Sequence, residues 1–292
     1  MMAQPDFFIK YLPMKISLTS VEKAVLPEYL GSALRGAIGQ ALYSDITAFN
    51  YIYNNRSLSG NKQDIVNPYM IIPPAMHKTP YQAGEDLSFY MILLGDAIQY
   101  APSVVDALGS LENFKLGASR YPFILKKIFH SLDQRVIWQS GLFYETAVQS
   151  AVVPYRCLSN IKQLTINIQT PLRIRRSGML LESIDFPTII RNIIHRIEAI
   201  TQRYGGWVNT TEAVRIQTLA SEIPVTQSHL ALKQMSRYSN RLGEKMDFGG
   251  LLGSIRCEGV LTSFVPWLYA AQILHIGRNT TFGMGKIEVE FI

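Results

Sequence analysis

The stretch FPTIIRNIIHRIEAITQRY, residues 186–204, sets Ile189, Ile193, Ile197 and Ile200 at spacings of four and three. At about 100° per residue those side chains share one face of a helix. A helix with one apolar face needs a sheet or a second helix to lie on. KQLTINIQTPLRIRR (162–176), just upstream, reads as a strand. Downstream, SHLALKQMSRYS (228–239) and GGLLGSIRCEG (249–259) read as a hairpin, FVPWLYAAQILHI (264–276) as a second helix, and KIEVEFI (286–292) as a last strand. The predicted order is βαββαβ.

The first half repeats it. FFIKYLPMKISLT (7–19) reads as a strand, LPEYLGSALRGAIGQALY (26–43) as a helix, NPYMIIPP (67–74) and DLSFYMILLG (86–95) as strands, APSVVDALGSL (101–111) as a helix and RYPFILKKIF (120–129) as a strand. Two such units in succession predict an α+β chain of tandem ferredoxin-like domains, residues 1–155 and 156–292. The irregular segment DQRVIWQSGLFYETAVQSAVVPY (133–155) before the joint has room for a hairpin of its own. A C-terminal glycine-rich loop, HIGRNTTFGMGKIEVEFI (275–292), has its counterpart at GSLENFKLGASRYPF (109–123) in the first unit. Only the second copy keeps dense glycines, so the expectation is that the second loop contacts a ligand and the first merely turns.

With 48% apolar residues in 292, the chain can bury a substantial core. Cys157 and Cys257 are its two cysteines, with no CxxC or Cys/His cluster, which argues against a structural zinc and for a reducing compartment. The most apolar run, VLTSFVPWLYAAQILHIG (260–277), is interrupted by Thr262, Ser263, Pro266 and Gln272 before it can span a bilayer. A cytoplasmic protein with no membrane partner is expected. Residues 1–155 carry 12 Lys/Arg and 12 Asp/Glu, whereas residues 156–292 carry 16 and 10, so the whole net charge of +6 lies in the second half. A polyanion should meet that half first.

LGSALRGAIGQAL (30–42), GEDLSFYMILLGDA (84–97), RYSNRLGEKMDFGGLLG (237–253) and HIGRNTTFGMGKIEVE (275–290) together resemble the CRISPR precursor-RNA processing endoribonucleases of the RAMP superfamily. The resemblance implies the fold just described and a metal-independent cut in CRISPR repeat RNA. In such a cut the ribose 2′-hydroxyl attacks the adjacent phosphorus, leaving a 2′,3′-cyclic phosphate and a 5′-hydroxyl. It implies no cofactor and no metal site. CRISPR repeat RNA is the expected partner; other CRISPR effector subunits and a second copy of the chain are further partners it allows. A non-catalytic RAMP subunit that holds guide RNA, and an RNA chaperone of the same fold, stay open as alternatives.

Candidate residues follow. His275 stands at the end of the last predicted helix, whose negative end favours a protonated imidazole suited to general acid catalysis; capping of the helix is the other reading. The first helix carries Gly31, Gly36 and Gly39, each costing up to about 1 kcal/mol relative to alanine. On a helical wheel Tyr29, Gly36 and Gln40 share a flank, and Arg35 lies on the exposed side with Ser32 and Gly39. Close approach of RNA, with Tyr29, Arg35 and Gln40 at the scissile phosphate, and tight helix packing both account for the glycines. Arg173, Arg175 and Arg176, with Arg237, Tyr238, Asn240 and Arg241, suit phosphates, guanine edges and a stacked base. Gly277, Gly283 and Gly285, with Arg278, Thr280, Thr281 and Lys286, are expected to form a phosphate cradle. His77, His130, His195 and His229 are expected to be structural or merely exposed.

Overall fold

The computed structural model describes residues 4–54, 66–76, 78–239 and 244–292. They form two compact units. One runs from Ile9 to Val152 and takes in Arg203–Gly205; the other holds the segment ending at Phe8, Val153–Gln202 and Gly206–Ile292. Where a single cut at residue 155 was expected, Phe7 and Phe8 instead pair antiparallel with Val208 and Trp207 of the second unit.

In the first unit the elements are β1 (Lys10–Ser20), α1 (Gly31–Leu42), α2 (Ile46–Ile52), β2 (Tyr69–Ile72), β3 (Asp86–Leu94), α3 (Ala101–Gly109), β4 (Phe114–Leu116), β5 (Tyr121–His130), β6 (Val136–Gln139) and β7 (Leu142–Phe143). The sheet runs β7-β6-β5-β1-β3-β2, with β4 paired to β5. Every pairing is antiparallel. The β6–β7 hairpin closes through left-handed Ser140 and Gly141, as the irregular segment allowed. Alternate residues of β1, Leu12, Met14, Ile16 and Leu18, are buried with Leu34 and Ile38 of α1 and Val104, Val105 and Leu108 of α3. Period two on the strand and period 3.6 on the helices thus meet in one core.

α1 starts at Gly31, so Tyr29 precedes it. The helix α2 escaped the sequence reading, although Asp45 caps it by accepting from the amides of Thr47 and Ala48 at 3.0 Å each. The two interior glycines of α1 differ. Gly36 is exposed and a Cβ there would meet nothing within 4 Å. Gly39, expected on the exposed side, is buried instead, and a Cβ would lie 2.7 Å from the Tyr53 ring.

In the second unit, β8 (Gln163–Leu172), β9 (Arg175–Arg176), β10 (Met179–Leu180), α4 (Phe186–Tyr204), α5 (Thr210–Ala220), β11 (Val225–Lys233), β12 (Ser236–Ser239), β13 (Glu244–Asp247), β14 (Gly250–Glu258), α6 (Val265–Leu274) and β15 (Ile287–Phe291) follow in order. Its main sheet is β11-β14-β8-β15, all antiparallel. Ile189, Ile193, Ile197 and Ile200 of α4 are each at most 1% exposed. Leu164, Ile166, Ile255, Ile287, Trp267 and Leu268 complete that core. The run 228–239, read as one strand, breaks after Lys233, so that β12 leaves the sheet and pairs with β13 in a separate hairpin. The helix α5 was also missed, though Asn209 followed by Glu212 is a capping signal, and the Asn209 side chain does accept from the Glu212 amide. Among the described residues no helix is long and apolar enough to cross a membrane.

The two α1 glycines should respond oppositely to alanine. Gly36→Ala should stabilise the protein by up to about 1 kcal/mol, because it removes backbone entropy and meets no neighbour. Gly39→Ala should destabilise it, because the Tyr53 ring is stacked between Phe49 and Tyr69 and has no room to yield. Denaturant midpoints of the two variants check this; equal shifts would refute the assignment.

Candidate functional site

β8 ends where the candidate residues gather. After Leu172 the chain carries Arg173 inward: it is 3% exposed, its guanidinium donates to Asp247 Oδ2 at 2.9 Å, and it also donates to the Gly249 carbonyl. The cation holds the Asp247 carboxyl below its usual range. Arg173 is therefore a brace between β8 and the β13–β14 turn rather than an open phosphate ligand, which corrects the sequence expectation. Its neighbours Arg175 and Arg176 form β9 and are exposed, Arg176 donating to Thr188 Oγ1 at 3.1 Å. Between the β9–β10 and β12–β13 hairpins lies a cleft of about 540 Å³ lined by Leu180, Lys233, Gln234, Ser236 and Asp247. The backbone places Arg237 opposite Met246 and Tyr238 opposite Lys245. Asn240 and Arg241 lie outside the described residues. Lys233 was not among the expected residues; nothing in the sequence signals that the strand breaks beside it.

The glycine-rich stretch joins the same region. Gly277, Gly283 and Gly285 all have positive φ, as do His275 and Asn279. Most of its amides are already used. Ile276 donates to the Gly285 carbonyl (3.0 Å), Gly285 to Pro171 (3.2 Å), Arg278 to Arg173 (2.8 Å) and Gly283 to Thr280 (2.9 Å). Lys286 N donates to Thr170 Oγ1 at 2.9 Å, and that hydroxyl donates to the Gly283 carbonyl at 2.8 Å. Thr280 and Thr281 are 5% and 6% exposed. Part of the expected cradle is thus a folded strut, with the amides of Ile276, Arg278, Phe282, Gly283, Gly285 and Lys286 bonded within the protein; Arg278, at its exposed corner, and half-buried Lys286 are the side chains of the set that reach solvent.

His275 is wholly buried, and its Nδ1 lies 3.2 Å from the Met284 carbonyl, which fixes the Nδ1–H tautomer. Burial, with the Arg196 cation next, pushes its pKa down to about 3. The helix-end argument fails because desolvation outweighs it. The capping reading holds for the backbone: His275 is the C-cap residue of α6 and its N–H donates to the Ala271 carbonyl at 2.9 Å, while the Leu274 carbonyl accepts from Arg196 Nε at 3.0 Å. His275 sits at φ 55° and ψ 167°, a conformation costing about 1–3 kcal/mol that persists only because the strut holds it. As a neutral, buried ring it is no general acid.

Within the first unit, Arg35 is half-buried, donates from Nε to Tyr69 Oη at 2.8 Å and lies 5.1 Å over the Tyr53 ring. The Tyr53 hydroxyl returns a bond to the Arg35 carbonyl at 3.2 Å. Gln40 is exposed, one turn from exposed Gly36, so the two make an open stripe on α1. Tyr29 is 9% exposed and burial raises its phenol pKa, which leaves it a neutral packing residue and not a base. Exposed His195 and His229 and buried His130 fit the plain roles expected of them; His77 lies outside the described residues. Among the described residues no group of three His, Cys, Asp or Glu side chains could hold a metal ion.

Residues 166–287 match the family described as CRISPR-associated endoribonuclease Cas6, and residues 8–151 match one described as an N-terminal domain. An uncharacterized protein of Archaeoglobus fulgidus is 20% identical over 284 residues, covering 90% of this chain and 92% of that one. Among solved structures, a partial Cas6-RT-Cas1–Cas2 complex matches with a TM-score of 0.66 at 12% identity over 99% of this chain; the chain spans about half, 47%, of that one. A Cas6 product complex matches at 0.60 and 13% identity, covering 96% and 100% of the two chains. Thermus thermophilus Cas6 matches at 0.54 and 14%, covering 96% and 99%. The mixed α/β fold is similar to that of the Cas6 structures.

Two consequences can be measured. The unfolded chain binds a proton on residue 275 near pH 6.5 that the native state refuses until about pH 3, so this group's stabilising effect is lost as pH falls through that window. Between pH 7 and pH 5 the loss attributable to it should be on the order of 2 kcal/mol, and His275→Gln should flatten it in denaturant titrations. Separately, a Cβ on Gly285 would stand 1.8 Å from the Ile276 carbonyl oxygen at φ 71°, so Gly285→Ala should cost at least about 1 kcal/mol, read as a lowered Tm.

Proposed function

We propose that this chain, a Cas6-type RAMP protein of the CRISPR systems, is an endoribonuclease that cuts CRISPR repeat RNA to release guide RNAs. The observation that carries the reading is the family match on residues 166–287, which takes in both hairpins of the second unit and the glycine-rich stretch. In each unit the four principal strands lie in the order second, third, first, fourth, which supports reading the pair as tandem ferredoxin-like domains. Repeat RNA is the partner. The Cas6-RT-Cas1–Cas2 complex among its structural relatives makes other CRISPR proteins a second partner class.

The reaction needs no metal in this reading. The O2′–P bond forms, the P–O5′ bond breaks, the 2′-hydroxyl loses its proton and the departing 5′-oxygen gains one. With His275 sealed inside, the protein works by orienting the in-line attack and by opposing the charge on the phosphorane. Arg35, held by Tyr69 and Tyr53, is the preorganised cation, and Gln40 is a neutral hydrogen-bond donor one turn from Gly36 on another flank of α1. Gly36, with open space above it, lets the RNA backbone lie against the helix. Arg175, Arg176 and Arg278 take phosphates along the second unit.

A second reading, a non-catalytic RAMP subunit that holds guide RNA, is favoured by one observation: the imidazole nearest the glycine-rich stretch is buried and neutral. One experiment separates them. Single-turnover incubation of repeat RNA in EDTA should yield 2′,3′-cyclic phosphate ends, and a 2′-deoxy nucleotide at the scissile position should abolish cutting. Arg35→Ala should slow the step by about 10²-fold and Gln40→Ala by less. Tight binding with uncut RNA would select the second reading.

A further inference from the structure

The junction between α3 and β5 is the first unit's counterpart of the glycine-rich stretch and was expected to be a bare turn. The first junction opens a cleft of about 220 Å³ in which Ala37 and Gln40 of α1 meet Glu112, Asn113, Lys115 and Arg120. Lys115 and Arg120 are exposed, and among the described residues neither forms an ion pair. Asn113 Oδ1 is buried without a hydrogen-bond partner. Two cations against the single Glu112 carboxylate leave the cleft net positive.

Size and chemistry narrow the occupant. Pockets for drug-sized ligands begin at about 300 Å³, so this one suits a single base with its phosphates and excludes a duplex. The carboxamides of Gln40 and Asn113, both lining the cleft, offer donors and acceptors to a base edge. Lys115 and Arg120 fit phosphate oxygens, while Glu112 can accept from a ribose hydroxyl. We propose that this cleft binds one unpaired nucleotide of the RNA, with its base edge at Gln40 and Asn113 and its phosphates at Lys115 and Arg120. The ligand's identity as RNA rests on the endoribonuclease reading.

The test uses the full chain and repeat RNA carrying 4-thiouridine at one position at a time, photocrosslinked and mapped by peptide mass. One or two adjacent positions should crosslink to residues 111–120, and Lys115→Ala/Arg120→Ala should remove those crosslinks while leaving others. Because both side chains are exposed, the fold should survive the change. The slope of log affinity against log salt should shrink by about 1.4, two single-strand phosphate contacts. A merely structural role would lower affinity without moving that slope. Cleavage intact in the wild type with no crosslink to 111–120, or an unchanged slope, overturns the cleft and keeps the nuclease. Crosslinks to 111–120 without any cleavage keep the cleft and overturn the nuclease.

Discussion

Gly285 approaches Ile276 so closely that no side chain fits between them, and the arrangement at the end of β8 depends on that approach. The Ile276–Gly285 bond closes the stretch after α6, Gly285 and Lys286 then reach Pro171 and Thr170 at the end of β8, and Arg278 reaches Arg173. Arg173 carries the tie on to Asp247 and Gly249. Each bond alone contributes about 1 kcal/mol net, but leaving any one buried donor or acceptor unmet costs about 1–3 kcal/mol. The chain of ties therefore behaves as a unit: it fixes where both hairpins leave the sheet, and it holds His275 in a backbone conformation that residue would otherwise avoid.

A second arrangement of the same kind orders α1. Tyr53 packs beneath Gly39, stacks on Tyr69 and bonds the Arg35 carbonyl, while Tyr69 accepts from Arg35 Nε. An arginine held at two points loses less freedom when it meets a phosphate than one waving in solvent, which makes it better suited to stabilising developing charge. The exposed guanidinium groups of Arg175 and Arg278 reach solvent and suit positioning of a polyanion.

In the proposed endoribonuclease, taking His275 out of the chemistry changes what kind of catalyst the chain would be. A buried neutral imidazole cannot exchange protons with a bound RNA, so in the proposed reaction rate acceleration would rest on geometry and electrostatics, which distribute over several residues. A helix flank with one bare glycine between polar residues is compatible with that, since it presents backbone and small donors to the RNA without a bulky side chain in the way.

Much of the architecture was legible in the chain itself. The isoleucine period of α4, the alternation of β1 and the duplicated βαββαβ pattern are local properties, set by the geometry of one helix or strand and by the need to bury one face. Local reading also located the residues that gather at the end of β8. It could not say what they do there. Whether Gly283 and Gly285 offer amides to a phosphate, whether Gly39 faces solvent, and whether His275 is charged all depend on partners far away in sequence: Pro171 and Thr170, Tyr53, and Met284 with Arg196. Spacing determines which face a residue takes along its own element, but hydrogen-bond satisfaction and desolvation are set by what packs against that face, and only the tertiary structure supplies it.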